Sequence, residues 1–172
     1  MSLPRALTTA PAEGATPADR TSLDYAGRFL RRKRLTTEGG EAILVDLAQT
    51  TDLTEAMVLV LDDGRQIAIL AASEPLLRVT GPELARLAWH IGNRHTPCQV
   101  EADHLLIRQD HVLAGMLAGL GAEVTEVTGP FRPEGGAYGQ GRTMGHAHGP
   151  DGQDGHGHDH SHPHSHAHTH DH

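Results

Sequence analysis

The chain has 172 residues and a formal net charge of −8 with neutral histidines, and only 3% of its residues are aromatic. Such a length fits one ordinary domain or two small ones, with an aliphatic core. The negative charge argues against nucleic acid as a partner. A single cysteine, Cys98, excludes an internal disulfide framework. With no run of 18 apolar residues and no apolar signal core, we expect a cytoplasmic protein that does not enter a membrane.

The N-terminal half is predicted to form an all-β domain. Residues 1–22 are rich in Ala, Thr and Pro without a period, which indicates a flexible N-terminal arm. The domain itself is expected at residues 23–73, with a polar loop at 50–55. Its predicted strands are residues 25–34, 42–47, 57–61 and 66–70. The turn Asp62-Asp63-Gly64-Arg65 between the last two is a hairpin signal.

Four consecutive cations, Arg31-Arg32-Lys33-Arg34, lie in the first of these strands. One interpretation is a docking patch for a partner. The other is the charged, exposed side of a strand, which the neighbouring apolar residues Phe29 and Leu30 favour.

Residues 74–142 are predicted to form a second domain. Its expected strands are residues 76–80, 98–102, 104–108 and 123–127. Two helices have apolar residues at i, i+3, i+4 and i+7, namely Leu84, Leu87, Ala88 and Ile91, then Leu113, Met116, Leu117 and Leu120. Thr80 or Gly81, with Pro82 in the first turn, and Asp110 are the candidate caps. The order βαββαβ is that of a ferredoxin-like sandwich, which makes the whole chain α+β.

Residues 143–172 form a His-rich tail with 11 of the 15 histidines. These are His146, His148, His156, His158, His160, His162, His164, His166, His168, His170 and His172. The segment has too few apolar residues for a core, but imidazoles suit Ni, Cu, Zn and Co. A purification tag is the alternative, although tags are usually six consecutive histidines, whereas here they alternate with other residues.

Outside the tail, His95 follows the first predicted helix in a loop where its ring can face outward. A two-fold dimer would bring two copies to one ion. Asp110 and His111 could offer one oxygen and one nitrogen, although a carboxylate there also caps the helix. His90 and His104 are more typical of surface histidines than of metal ligands. Cys98 is more typical of a buried core thiol than of a ligand.

Motifs of common enzymes are missing from the sequence. It contains no Gly-rich phosphate loop followed by Lys-Ser/Thr, no His-Glu-x-x-His and no Gly-x-Ser-x-Gly. Metal-binding capacity without a catalytic motif predicts carriage or storage rather than an enzyme.

The loop Gly92-Asn93-Arg94-His95-Thr96-Pro97 resembles that of the urease accessory protein UreE family, the nickel metallochaperones of urease maturation. Further similar stretches are residues 29–37, Asp63-Gly64-Arg65, Asp110-His111-Val112-Leu113 and residues 130–138. The resemblance spans about residues 23–142, and many members of the family have a His-rich tail.

This resemblance implies a peptide-binding-like β domain and a homodimer formed through the second domain. His95 of both chains would bind Ni(II), with Zn(II) and Cu(II) as competitors, and tail histidines would join it or hold further ions. A second His-x-His site of some members would fall on Gln109 and His111. Because Gln109 is not a histidine, Asp110 and His111 are left as a weaker pair. The implied partners are the GTPase UreG and the urease apoprotein maturation complex.

Three other functions stay open. Nickel storage would depend mainly on the tail. A protein-interaction adaptor would dock a client through Arg31 to Arg34. A metal-dependent hydrolase is the most remote.

Overall fold

The computed structural model describes residues 3–135, which form two β-sheets and two helices. The first sheet consists of β1 (Arg5–Pro11), β2 (Asp19–Leu23), β3 (Phe29–Thr36), β4 (Ala42–Asp52), β5 (Met57–Leu61) and β6 (Gln66–Ala71). The second part consists of β7 (Ser73–Thr80), α1 (Leu84–Gly92), β8 (Gln99–Val100), β9 (Leu105–Arg108), α2 (His111–Gly119) and β10 (Glu123–Pro130). The predicted tail, with its histidines from His146 to His172, lies outside the described residues.

The first sheet is mixed and has the strand order β2-β6-β5-β1-β4-β3. Strand β1 is parallel to β4 and β2 is parallel to β6, whereas the other neighbours are antiparallel. The two edge strands approach each other at one end, where the Glu38 N–H donates to the Arg20 carbonyl oxygen at 2.8 Å. Aliphatic side chains such as Ile43, Val45 and Ile67, none of them exposed, form its core.

The prediction of a flexible arm at residues 1–22 is wrong for half of that segment, which forms strands. Residues 5–11 are β1, hydrogen-bonded between β4 and β5, and residues 19–23 are β2 beside β6. The composition of this segment gave little indication of strands, because the buried side chains in them are only Ala6, Thr21 and Leu23. Backbone pairing with distant strands, rather than apolar alternation, makes two separate strands of this segment.

The hairpin predicted around Asp62 to Arg65 is confirmed. Strands β5 and β6 are antiparallel, and Gly64 has a φ of +85°, which glycine adopts without steric cost. The polar loop predicted at residues 50–55 is partly wrong, because β4 continues to Asp52. Its polar end pairs through the backbone with the start of β3, where Phe29 lies opposite Asp52.

The four consecutive cations lie on β3, an edge strand, and all four are exposed. The prediction of a strand with a charged, solvated side is therefore confirmed. Arg32 is the register partner of Asp46, and the two side chains approach to 3.7 Å. Charges on an edge strand also oppose pairing with a second sheet.

The second sheet is antiparallel, with the order β10-β7-β9-β8, and both helices pack against it. Leu87 and Ile91 of α1 and Leu113 and Leu117 of α2 are buried, which confirms the predicted apolar faces. Of the helices in residues 3–135, neither is long and apolar enough to cross a membrane.

The two helices begin differently. The Asp110 carboxylate accepts hydrogen bonds from the N–H groups of Val112 and Leu113 at 2.9 and 3.0 Å, which confirms the predicted cap. The predicted cap of α1 at Thr80 or Gly81 is wrong. Thr80 ends β7, the helix follows Glu83, and that side chain makes no cap hydrogen bond within the described part of the chain.

Helix α1 ends in a left-handed turn at a histidine. His95 has a φ of +55° and is the one non-glycine residue in residues 3–135 with a positive φ. The His95 N–H donates to the Gly92 oxygen at 2.9 Å, and the Thr96 N–H donates to the Ile91 oxygen at 3.4 Å. This pair of bonds is the Schellman closure, in which the left-handed position is usually a glycine.

The two sheets meet around Phe131, the residue that follows β10. Its side chain is not exposed, and its ring packs edge-on against Tyr25 at 5.3 Å between centroids. The buried Arg28 guanidinium donates to the Phe131 oxygen at 2.5 Å. Arg28 and Arg108 also lie over the Tyr25 ring, at 5.8 and 5.5 Å from its centroid.

An ion pair joins the two parts beside this cluster. The Arg132 guanidinium binds the Glu55 carboxylate through Nε and through Nη2, the latter at 3.1 Å from Oε1. Glu55 also accepts from the Ala71 N–H at 3.2 Å. The hydrogen bond from Arg132 lowers the pKa of Glu55 below its usual 4.5, because it favours the carboxylate.

We expect His95→Gly to be more stable than His95→Ala by about 1 kcal/mol, because a Cβ clashes in the left-handed conformation and glycine has none. Urea denaturation of the two variants measures this difference. The matched control is Asn93, which has a right-handed φ of −63°. There the order should reverse, with alanine more stable than glycine. Equal stabilities of the two residue 95 variants would contradict a strained backbone.

We expect Glu55→Gln to destabilise the protein at pH 7 by at most about 1 kcal/mol, because both side chains of the pair are partly solvated. The folded-state pKa of Glu55 is depressed, so its contribution is present above the unfolded value and disappears as pH falls through the folded pKa. Thermal unfolding from pH 7 to pH 3 should show the difference from wild type begin to shrink near pH 4.5 and disappear only below the depressed folded-state pKa of Glu55. Arg86→Gln, which breaks the exposed Glu83–Arg86 pair on α1, is the control and should have a smaller effect at pH 7.

Candidate metal centre

The candidate ligand His95 stands at the C-terminal end of α1 with its side chain exposed. The left-handed turn directs the chain away from the helix, and Pro97 and Cys98 then lead into β8. An exposed imidazole on a tightly hydrogen-bonded turn is available to a metal ion, while its backbone position is well defined. Backbone strain of this kind is often retained at functional sites.

Asp110 and His111 lie at the same edge of the second sheet as the His95 loop. Strands β8 and β9 are antiparallel, with Gln99 opposite Leu106, so the residues before β8 and those after β9 share one edge. His111 is exposed at the first position of α2. The Asp110 carboxylate, by contrast, is already engaged with two N–H groups of the helix.

A complete ligand set is not formed within the described range. No group of three or more His, Cys, Asp or Glu side chains in residues 3–135 is close enough to hold a metal ion. The remaining ligands of an ion bound at His95 would have to come from residues outside that range, from solvent or from a second chain.

Cys98 is half-buried and packs against the core of the second sheet, just before β8 rather than within the predicted strand. Burial raises the pKa of its thiol to about 11, and the nearby Glu134 carboxylate contributes. Because the thiolate is the form that binds metal, this cysteine is not poised as a ligand at neutral pH.

The two other histidines outside the tail have local partners. His90 is half-buried, and its ring lies edge-on to Trp89 at 5.0 Å. Nδ1 of His104 lies 2.6 Å from the Asp103 carboxylate, in the turn between β8 and β9. That turn is at the opposite end of the hairpin from His95, so His104 cannot join the same ion.

Sequence reasoning missed the role of residues 131–135, which we call the strap. The Arg132 N–H donates to Oε1 of Gln99 at 2.7 Å, and the Glu134 N–H donates to the Cys98 oxygen at 2.8 Å. The strap therefore runs beside the residues that follow His95 and brings Gly135 close to that loop. One feature of the sequence could have indicated this role. Phe131 is one of only two phenylalanines in the chain, and so large an apolar side chain is expected to be buried.

Comparison with known families agrees with this two-part arrangement. A family model described as UreE urease accessory protein, N-terminal domain, matches residues 3–72. The model of the C-terminal domain of the same family matches residues 74–172. The two matches meet where the first sheet ends and the second begins.

Several curated proteins named urease accessory protein UreE are similar to this chain. The protein of Ruegeria pomeroyi is 62% identical over 130 residues, which is 76% of this chain and 87% of that protein. The protein of Cereibacter sphaeroides is 60% identical over 142 residues, 83% of this chain and 75% of its own length. The protein of Rhodobacter capsulatus is 58% identical over 147 residues, 85% and 94% of the two chains. The chain therefore belongs to the UreE urease accessory protein family.

Proposed function

We propose that this protein carries nickel for urease maturation in the cytoplasm. It binds Ni(II) as a homodimer through His95 of each chain and passes the ion to the urease maturation complex, with the GTPase UreG as its direct partner. Membership in a urease accessory family supports the role in maturation. The single observation that carries the nickel site is an exposed imidazole on a strained turn, beside the strap that leads to the histidines of the tail.

The second sheet supports a ferredoxin-like domain as the dimerisation unit. Its order, β10-β7-β9-β8, is the one in which each helix crosses over a single intervening strand. In the single chain, three large apolar residues of this part are exposed to solvent. Their exposed fractions are 63% for Trp89 of α1, 68% for Val112 of α2 and 48% for Val100 of β8. Exposed apolar side chains of this size are typical of a surface that a partner covers.

A contact through α1 would bring two copies of His95 together. Trp89 lies three residues before Gly92, the last residue of α1, which is about 4.5 Å along the helix axis. His95 follows in the turn that closes the helix. In a two-fold contact each residue near the axis faces its own copy, so a dimer contact near Trp89 favours a His95 pair around one ion. Two imidazoles form half of a four-coordinate site or a third of an octahedral one.

The tail can supply further ligands because it starts close to this site. Gly135 is the last described residue, and His146 follows it by eleven residues, a contour of at most about 40 Å. Asp110 and His111 form the proposed weaker pair at the same edge. A nitrogen site of this kind favours Cu(II) over Ni(II) and binds Zn(II) comparably, so specificity must depend on the partner and on metal supply.

The decisive experiment is a calorimetric nickel titration of full-length protein, of the chain ending at Arg142, and of that shorter chain with His95→Ala. We expect the shorter chain to keep about one ion per dimer and His95→Ala to remove it, because the two imidazoles are the shared ligands. His104→Ala in the shorter chain is the control and should bind as its parent does, since His104 lies at the opposite end of the hairpin.

Nickel storage by the tail gives a different result in the same titration. The concentration of 11 of 15 histidines in residues 143–172 is the observation that favours this second function. Storage predicts that truncation alone removes nearly all binding and that His95→Ala changes little in the full-length chain. That outcome would eliminate His95 as the shared site.

We expect Trp89→Glu to convert the dimer into a monomer, because a carboxylate cannot be buried in an apolar contact without a partner. Light scattering should then give 18.4 kDa instead of twice that mass. Leu7→Glu is the matched control, since Leu7 is 48% exposed but lies on β1 of the first sheet. A Trp89→Glu protein that keeps the dimer mass would show that the contact lies elsewhere.

A further inference from the structure

A groove of about 760 Å³ lies between the first sheet and the loop that follows His95. Ala10, Phe29, Thr51 and Met57 line it on one side, and Pro97 and Pro133 line it on the other. Its volume is in the range of sites that bind small ligands or short peptide segments. The proposed nickel chemistry does not use it.

The strap runs directly into this groove. Pro133, Glu134 and Gly135 are part of its lining, and the hydrogen bond from Glu134 to Cys98 fixes where they lie. The Arg132–Glu55 pair and the buried Phe131 hold the start of the strap. The described part of the chain therefore ends at the groove, with Gly135 in its lining.

We propose that the groove is a docking site for the next segment of this chain, residues 136–142, with Tyr138 as its anchor. The segment has the sequence Gly-Ala-Tyr-Gly-Gln-Gly-Arg. The inference concerns the apo-protein and does not depend on the nickel proposal.

The chemistry of the segment matches the groove. Tyr138 is the one Phe, Tyr or Trp in residues 136–172, and an aromatic ring with a hydroxyl suits a lining that combines Phe29 and Met57 with threonines. Glycines on both sides of Tyr138 permit a close approach of the backbone to the groove walls. Arg142 is the last Arg or Lys of the chain, and the groove lining includes the Glu134 carboxylate.

Docking has a consequence for the histidines that follow. It moves the effective origin of the tail from Gly135 to Arg142, four residues before His146. A shorter tether holds a ligand at a higher effective concentration near its anchor. The groove thus helps to determine which tail histidines lie within reach of the His95 loop.

Limited trypsin digestion of the full-length protein in a chelator tests the proposal. Arg142 is the last trypsin site in the chain, and cleavage after it releases residues 143–172. The preceding arginine, Arg132, is followed by a proline and is therefore a poor trypsin site. Mass spectrometry of that release measures how often the segment leaves the groove. We expect Tyr138→Ala to be cleaved about tenfold faster than wild type, because proteolysis follows the population of the open state. Tyr138→Phe should stay within about twofold, since it keeps the ring.

A change on the groove side gives an independent test. Ala56 is exposed and lines the groove, so Ala56→Trp should fill it and speed cleavage as Tyr138→Ala does. Ala102→Trp, in the exposed turn between β8 and β9, is the matched control and should leave the rate unchanged. Cleavage rates of free peptides of residues 136–146, with Tyr or Ala at position 138, are measured in parallel. They correct the protein cleavage rates for the local sequence preference of trypsin.

Three outcomes would overturn the proposal. Wild type and Tyr138→Ala could be cleaved at the same corrected rate, or Ala56→Trp could leave the rate unchanged. Protection that grows with protein concentration would assign the groove to a second copy of the chain instead. Slow cleavage of wild type, independent of concentration and lost in both variants, is the result that supports docking within one chain.

Discussion

The burial of Phe131 between the two sheets is the constraint on which the rest of the arrangement depends. Each sheet has its own aliphatic core, and the junction is where Phe131 meets Tyr25 and Leu76. Burying such a side chain contributes about 1.5–3 kcal/mol, and the Arg28 guanidinium also binds its carbonyl oxygen. With few aromatic residues in the chain, an aromatic pair at the junction provides contacts that the aliphatic cores cannot replace.

This constraint extends to the candidate metal centre through the strap. Once Phe131 is buried, Arg132 can reach both Glu55 of the first part and Gln99 of the second. Glu134 then lies beside Cys98, three residues after His95. The junction therefore determines where Gly135, the last described residue, lies, and this position is close to the proposed nickel ligand. A tail that started at the far end of the sheet would need a much longer tether to act there.

The proposed ligand combines exposure with backbone strain. A glycine would suit the left-handed position at the end of α1 better, and its absence is an exception to the usual chemistry of helix ends. An isolated imidazole binds a metal ion weakly, which is consistent with the proposed carrier role because a carrier must release its ion. Additional ligands from a second chain or from the tail would strengthen binding only while they are in place.

Elements with a local signal could be predicted from the amino-acid sequence. The apolar faces of α1 and α2, the hairpin at Gly64 and the Asp110 cap follow from periodicity and turn chemistry within a few residues. The sequence also singled out His95, first through its position in the loop after the predicted helix and then through a family resemblance. The strands at residues 5–11 and 19–23 could not be predicted, because their partners lie far along the chain. The return of the chain to Cys98 through Phe131, Arg132 and Glu134 is also visible only in the folded protein. Contacts between residues distant in sequence depend on how both sheets fold and pack. A local sequence pattern contains no information about that packing.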